Sequence, residues 1–176
     1  KLEGEAFFEV SRDPSRPFCI LSSGLLTRVL GTSFNIESYR KSNAVVVTVA
    51  TGHVAVEKLG DKISSRISDL LPGQQLSFNL QNQSANIYPV NVADVIAWKE
   101  NRLVFDNTSF ARIALSIERL YGVRVIYPEK TLAKTPFTAR FSSNAPLAEV
   151  MRVLASTGQF SYTIKDSVVH IKNKAL

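Results

Sequence analysis

Residues 103 to 171 carry one small pattern twice, and this internal repeat constrains the fold more than any other feature of the chain. Phe105-Asp106-Asn107-Thr108-Ser109-Phe110-Ala111 matches Phe141-Ser142-Ser143-Asn144-Ala145-Pro146-Leu147-Ala148. Each copy opens with an aromatic residue at a strand end and continues as Asn-x-x-(large apolar)-Ala. An apolar stripe at the 3.6-residue helical period follows. It runs Phe110, Ile113, Ala114, Ile117, Tyr121 in the first copy and Leu147, Val150, Met151, Leu154 in the second. Asn107 and Asn144 are candidate N-caps, because a short side-chain oxygen can accept from the free amides of a first turn. Gly122 and Gly158 are candidate residues just past each helix end, where a positive φ is common. The pattern predicts strand-helix-strand twice over, with helices at about 109–121 and 146–157.

The strands of this half alternate: Leu103 and Phe105; Val123, Val125 and Tyr127; Phe137, Ala139 and Phe141; Phe160, Tyr162 and Ile164; Val169 and Ile171. The opposite positions hold Arg124, Thr138, Arg140, Ser161, Thr163, Lys165, His170 and Lys172. Strand alternation predicts one apolar face on the two helices and one polar, basic face in water.

Residues 1–92 read differently, as an all-β domain. Short runs at 17–21, 25–30, 33–39, 44–50, 53–59, 63–67, 75–79 and 86–89 are separated by turn pairs such as Asp13-Pro14, Ser23-Gly24, Thr51-Gly52 and Pro72-Gly73. Many short strands at even spacing predict a twisted β-solenoid or a jelly-roll-like sandwich. Residues 93–101 read as a short helical linker, with Trp98 as a packing residue and Asn101 placed for a left-handed helix end. The α/β module then spans 102–176.

Charge follows the same division. Of 21 basic and 15 acidic residues, 9 and 8 lie in 1–92 and 12 and 7 in 93–176, so nearly all of the net +6 belongs to the repeat-bearing half. No run approaches the roughly 18 apolar residues of a spanning helix. The one cysteine, Cys19, lies in Phe18-Cys19-Ile20-Leu21 and is expected to act as a small buried apolar residue. Two histidines far apart, His53 and His170, offer no metal-ligand spacing with that cysteine. No phosphate-cradling glycine loop or nucleophile elbow is present. The expectation is therefore a protein that is not an enzyme and takes no cofactor or metal. Finding His53 beside an acid and a hydroxyl in a cleft would overturn it.

Five motifs in order carry a family resemblance. They are Gly4-Glu5-Ala6-Phe7-Phe8-Glu9-Val10, Val29-Leu30-Gly31-Thr32-Ser33-Phe34-Asn35-Ile36, Gly52-His53-Val54-Ala55-Val56, Leu71-Pro72-Gly73-Gln74-Gln75 and Ala97-Trp98-Lys99. Together they closely resemble the periplasmic region of the FecR-type anti-sigma regulators, the ferric-citrate-regulator family. The segment from Arg102-Leu103-Val104-Phe105 through Glu118-Arg119-Leu120-Tyr121 resembles that family's C-terminal module, which is similar to the short N-terminal domain of secretins and TonB-dependent receptors. Where the family reads glycine after Trp-Lys-(acid), this chain has Asn101, which also tolerates a left-handed position.

The resemblance implies a periplasmic sensing region at the inner membrane. It would receive a signal from the signalling domain of a TonB-dependent outer-membrane transporter and control an extracytoplasmic-function sigma factor. The start at Lys1, with neither initiator methionine nor span, leads to the expectation of a piece excised from a single-pass protein. On this reading the candidate partner-binding residues are Arg112, Leu115 and Arg119 on the first helix, and Arg124, Arg140, Lys165 and Lys172 on the polar sheet face. Leu115 lies off the core stripe and is expected to be exposed on the helix, as a contact either for a partner or for the β domain of the same chain. The alternative reading is a βαβ-repeat nucleic-acid-binding module or a general protein-interaction module. The first of these is disfavoured because Phe105, Phe137, Phe141, Phe160 and Tyr162 fall on the buried side, whereas RNA-binding sheets stack bases on exposed rings.

Overall fold

The computed structural model describes residues 1–40, 42–60, 64–142 and 144–173. It divides into two compact units, Lys1–Ile96 and Ala97–Leu176. The first contains strands β1 (Gly4–Glu9), β2 (Phe18–Ser22), β3 (Leu25–Val29), β4 (Ser33–Ser38), β5 (Ala44–Thr51), β6 (Val54–Lys58), β7 (Ser65–Leu70), β8 (Gln74–Asn79) and β9 (Ala85–Pro89). They form a five-stranded sheet, order β1-β4-β5-β8-β9, and a four-stranded sheet, order β2-β3-β6-β7. After β1 the chain visits the two sheets two strands at a time, a solenoid-like winding in which every pairing is antiparallel.

Alternation sets the core. Phe34 and Ile36, Val45, Val47 and Val49, and Leu76 and Phe78 face inward from one sheet. Leu25, Val29, Val54, Val56 and Leu70 meet them from the other. Two sheets each burying one face is the sandwich solution to period-2 patterning. Gly52 is needed at its turn: φ is +78°, and a Cβ there would lie 2.7 Å from the Gly31 carbonyl oxygen. The helix α1 (Val92–Val95) closes the unit, with the Asn91 side chain accepting from the Ala93 amide at 3.1 Å.

Two expectations need correction here. Cys19 is exposed, not buried. It pairs across β2–β3 with Arg28, on the outward face, while its neighbour Ile20 takes the core position. The run expected over 63–67 appears as β7, Ser65–Leu70, and its first residue, Ile63, lies outside the described residues.

The second unit opens with a 3-10 turn, Ala97–Glu100, and continues as β10 (Leu103–Ser109), α2 (Phe110–Tyr121), β11 (Arg124–Ile126), α3 (Glu129–Leu132), β12 (Pro136–Phe141), α4 (Leu147–Gly158), β13 (Phe160–Lys165) and β14 (Val168–Asn173). Asn101 has φ 55°, the left-handed geometry expected of it. The core takes Phe110, Ile113, Ala114 and Ile117 from α2 and Val150, Met151 and Leu154 from α4. Phe105, Phe137, Phe141 and Phe160 join them from the strands. The two repeats meet through equivalent residues, since the Phe105 and Phe141 rings pack edge-on with centroids 6.2 Å apart.

The strands do not make the single polar face expected from alternation. β10 pairs with β12 in one sheet, while β11, β14 and β13 form another. The first strand of each repeat finds its counterpart, and the second strands are bridged by β14. Periodicity orients each strand but carries no information on which neighbour it pairs with.

The helix ends differ from expectation as well. Asn107 and Asn144 are not N-caps; both are left-handed, at φ 46° and 71°. Ser109 and Pro146 occupy the caps, neither with a side-chain hydrogen bond. The free amides of Phe110 and Ala111 instead donate to the Thr135 and Ala133 carbonyls, at 2.9 and 3.0 Å. Asparagine is used here for its tolerance of positive φ rather than for its side-chain acceptor. Gly122 ends α2 in the left-handed region as expected, but Gly158 is the last residue of α4 itself and Gln159 takes the left-handed position at φ 52°.

Candidate interaction site

Three groups of charged side chains stand out, one on α2, one on the sheets of the second unit and one on the four-stranded sheet of the first. On α2, Arg112 and Arg119 are exposed one turn either side of Leu115. Leu115 is half-buried, contrary to the exposed position expected of it. A helical side chain leans over the preceding turn, so residues beside the core stripe are shielded in part. The Arg119 guanidinium lies 5.9 Å from the centroid of the Trp98 ring, within range of a cation–π contact.

On the three-stranded sheet, register brings the basic residues together. Arg124 is opposite Val168, which is opposite Lys165; Ile126 is opposite His170, which is opposite Thr163; Lys172 is opposite Ser161. Residues directly opposite share a face, so Arg124, Lys165, His170 and Lys172 surround Ile126 and Val168. All four basic residues are exposed, and Ile126 is 41% exposed. The aromatic residues of β13 turn the other way: Phe160 is buried, and the Tyr162 hydroxyl donates to the Ala148 carbonyl of α4 at 3.2 Å. This face therefore lacks the stacking platform of an RNA-binding sheet. Arg140 is separated from the group, because it lies on β12 opposite Val104, in the other sheet.

Sequence reading did not single out Ile126, although the signal was there. The alternation of Val123, Val125 and Tyr127 puts Ile126 in phase with Arg124, an apolar residue at an outward position. Tyr121, on the last turn of α2, donates to the Ala145 carbonyl at 2.7 Å; burial, and then the Glu149 carboxylate, push its hydroxyl pKa up.

The third group was not foreseen. Glu57, nearly buried on β6, accepts from the Ser64 hydroxyl at 2.9 Å and pairs with Arg66 at 3.1 Å and Arg28 at 3.6 Å. Arg66 also grips Asp69, with one Nε contact of 3.0 Å, and the His53 ring lies 2.8 Å from the same carboxylate. The Ser64 hydrogen bond and then the two arginines hold the Glu57 pKa down; Arg66 does the same for Asp69, with His53 adding to it. These residues come from β3, β6, β7 and their turns, and only cross-strand register unites them. The acid that His53 would need as a catalytic base is thus present. The hydroxyl is not aligned with it, since Thr32 Oγ1 bonds the His53 backbone carbonyl and amide, at 2.9 and 3.3 Å. The pair is also about half exposed. It serves as part of a surface ion network. Among the described residues no three His, Cys, Asp or Glu side chains converge as metal ligands, and no helix is long and apolar enough to cross a membrane.

Comparison with known proteins assigns the chain. The family model described as FecR protein matches residues 1–55, and that described as FecR, C-terminal matches residues 102–171. The chain belongs to the FecR family. The FecR family is one of regulators, and the role of this member is regulatory. Two crystal structures of a candidate anti-sigma factor from Parabacteroides distasonis, at 1.65 and 2.50 Å resolution, superpose with TM-scores of 0.87 and 0.86. Each is 25% identical to this FecR-family chain over 98% of its length, which spans 79% and 78% of theirs. No curated protein sequence matches it.

Proposed function

We propose that this FecR-family protein is the periplasmic sensing region of a membrane-anchored anti-sigma regulator. It receives a signal from the signalling domain of a TonB-dependent outer-membrane transporter. It passes that signal to an extracytoplasmic-function sigma factor held by a cytoplasmic segment. The observation that carries this reading is the likeness to the anti-sigma factor structures across 98% of the chain, covering both family-matched segments. Within it, residues 102–176 form the docking domain and residues 1–92 the scaffold, joined by 93–101. The basic excess of the second half and its exposed basic sheet face support that allocation. The charged network on the first unit is internally paired, which leaves the second unit's basic face as the charged surface that calls for a partner.

The test is calorimetric titration of the 176-residue chain with the signalling domain of the transporter encoded beside it. A sigma-dependent reporter is followed in parallel in cells carrying the whole regulator. Saturable binding, together with loss of induction when the docking domain is deleted, is the expected result. A folded chain that does not bind, in cells whose induction is unchanged by the deletion, would refute the proposal.

A further inference from the structure

We infer that the outward face of the three-stranded sheet β11-β14-β13 is the surface that docks this partner, and that the partner offers carboxylates around an apolar contact. The inference rests on the functional reading above and goes further by choosing one surface and one chemistry. Neighbouring strands lie about 4.8 Å apart, so Arg124 and Lys165, which flank Val168, stand roughly 10 Å from one another. Lys172 and His170 continue the same face along β14. Asp166, at the β13–β14 turn, adjoins Lys165 in sequence, and the Glu118 carboxylate of α2 accepts from the Val125 amide of β11 at 2.9 Å. Among the described residues, no ion pair includes Arg124, Lys165 or Lys172.

Like charges gathered on one flat face repel one another and are relieved by opposite charge. The contrast with the first unit is direct. There the outward face of the four-stranded sheet carries both signs, and its charges satisfy each other. The face of the second unit has only one sign on its strands, set around Ile126 at 41% exposure and the half-buried Val168. An apolar centre with a charged rim is the anatomy of a protein-binding patch. The α2 surface competes poorly, because it has no apolar residue as exposed as Ile126 between its arginines and Arg119 is already drawn to Trp98. Nucleic acid fits less well because the rings of this sheet face its core. An anionic membrane would meet the charges but has no use for a fixed central patch.

The experiment titrates the wild-type chain with the same transporter signalling domain and compares three variants. Lys165→Glu/Lys172→Glu should weaken binding at least about tenfold, with the wild-type affinity itself falling as salt is raised. Ile126→Asn, which removes the apolar contact without adding charge, should weaken it by a similar factor at all salt concentrations. Arg152→Glu, an equal change of charge per residue on the exposed side of α4, should bind as wild type does. Circular dichroism of each variant checks folding. Carbodiimide coupling of the wild-type complex provides a measurement free of mutation, since it joins lysine amines to adjacent carboxylates. Cross-links from Lys165 or Lys172 to Asp or Glu of the partner are expected. Wild-type binding with unaffected face variants and no such cross-links overturns the inference but leaves the functional reading standing. No wild-type binding at all overturns the inference, and with induction unchanged by deletion of the docking domain it removes the functional reading as well. If phosphatidylglycerol vesicles or single-stranded RNA bind through these lysines while the protein partner does not depend on them, the assigned partner chemistry is wrong.

Discussion

Replacing Gly158 with alanine should destabilise the protein, although glycine inside a helix is ordinarily the weaker choice. By itself, Gly→Ala in a helix gains about 1 kcal/mol from reduced backbone entropy. At this position the added methyl would sit 2.6 Å from Phe137 Cζ, 2.8 Å from Phe137 Cε1 and 2.8 Å from Phe160 Cδ1. Carbon atoms in contact prefer about 3.5–4.0 Å, so the rings must retreat by nearly an ångström. They have little room to do so. Both are 3% exposed, and each packs on Phe110 with centroids 5.6 Å apart. Overpacking of this kind costs about 1–3 kcal/mol. Against the propensity gain, the net is a loss of up to roughly 2 kcal/mol. Urea unfolding followed by circular dichroism would measure it. A double-mutant cycle with Phe137→Leu isolates the cause: the alanine should cost less when the Phe137 ring is shortened, giving a coupling of about 0.5 kcal/mol or more. If Gly158→Ala stabilises the protein, the close approach is wrong. If it destabilises equally in both backgrounds, the glycine is needed for its backbone and not for space.

Gly52→Ala combines a left-handed φ of +78° with a methyl 2.7 Å from the Gly31 oxygen and 2.9 Å from Thr32 Oγ1. It should cost about 2 kcal/mol or more in the same assay, and an unchanged midpoint would remove this account of the turn. The lowered pKa values of Glu57 and Asp69 make stability pH-dependent in a definite direction. A carboxylate whose folded pKa is depressed contributes stability that is complete above its unfolded value and disappears as pH falls through the folded one. The unfolding midpoint should therefore drop as pH is lowered below ordinary values of 4.5 for Glu57 and 3.8 for Asp69. Glu57→Gln should be less stable near neutrality and should lose less on acidification; an identical pH profile for the variant and the wild type would count against the network.

Much of the second unit was legible because its signals are local. An apolar stripe at helical spacing defined α2 and α4 to within a residue. Alternation placed Phe105, Phe137, Phe141 and Phe160 in the core and the basic residues in water. Hydration of a side chain depends on the period of the element that carries it, and the period is written in consecutive residues. The family resemblance was equally local, residing in short motifs around turns whose glycines and asparagines are required by backbone geometry.

What the tertiary structure decided is everything that depends on residues distant in the chain. Pairing split the repeat strands between two sheets, removing Arg140 from the company of Arg124, Lys165 and Lys172. Register turned Cys19 outward and joined His53, Asp69, Arg66, Glu57 and Arg28 across three strands and their turns. The approach of two phenylalanine rings gave Gly158 a packing role that its position near a helix end disguised. Carbonyls from the loop before β12 took over the capping that Asn107 was expected to perform. Hydrogen-bonding partners between strands are chosen by whole-chain packing, and a sequence period specifies the face of each strand without specifying its neighbour.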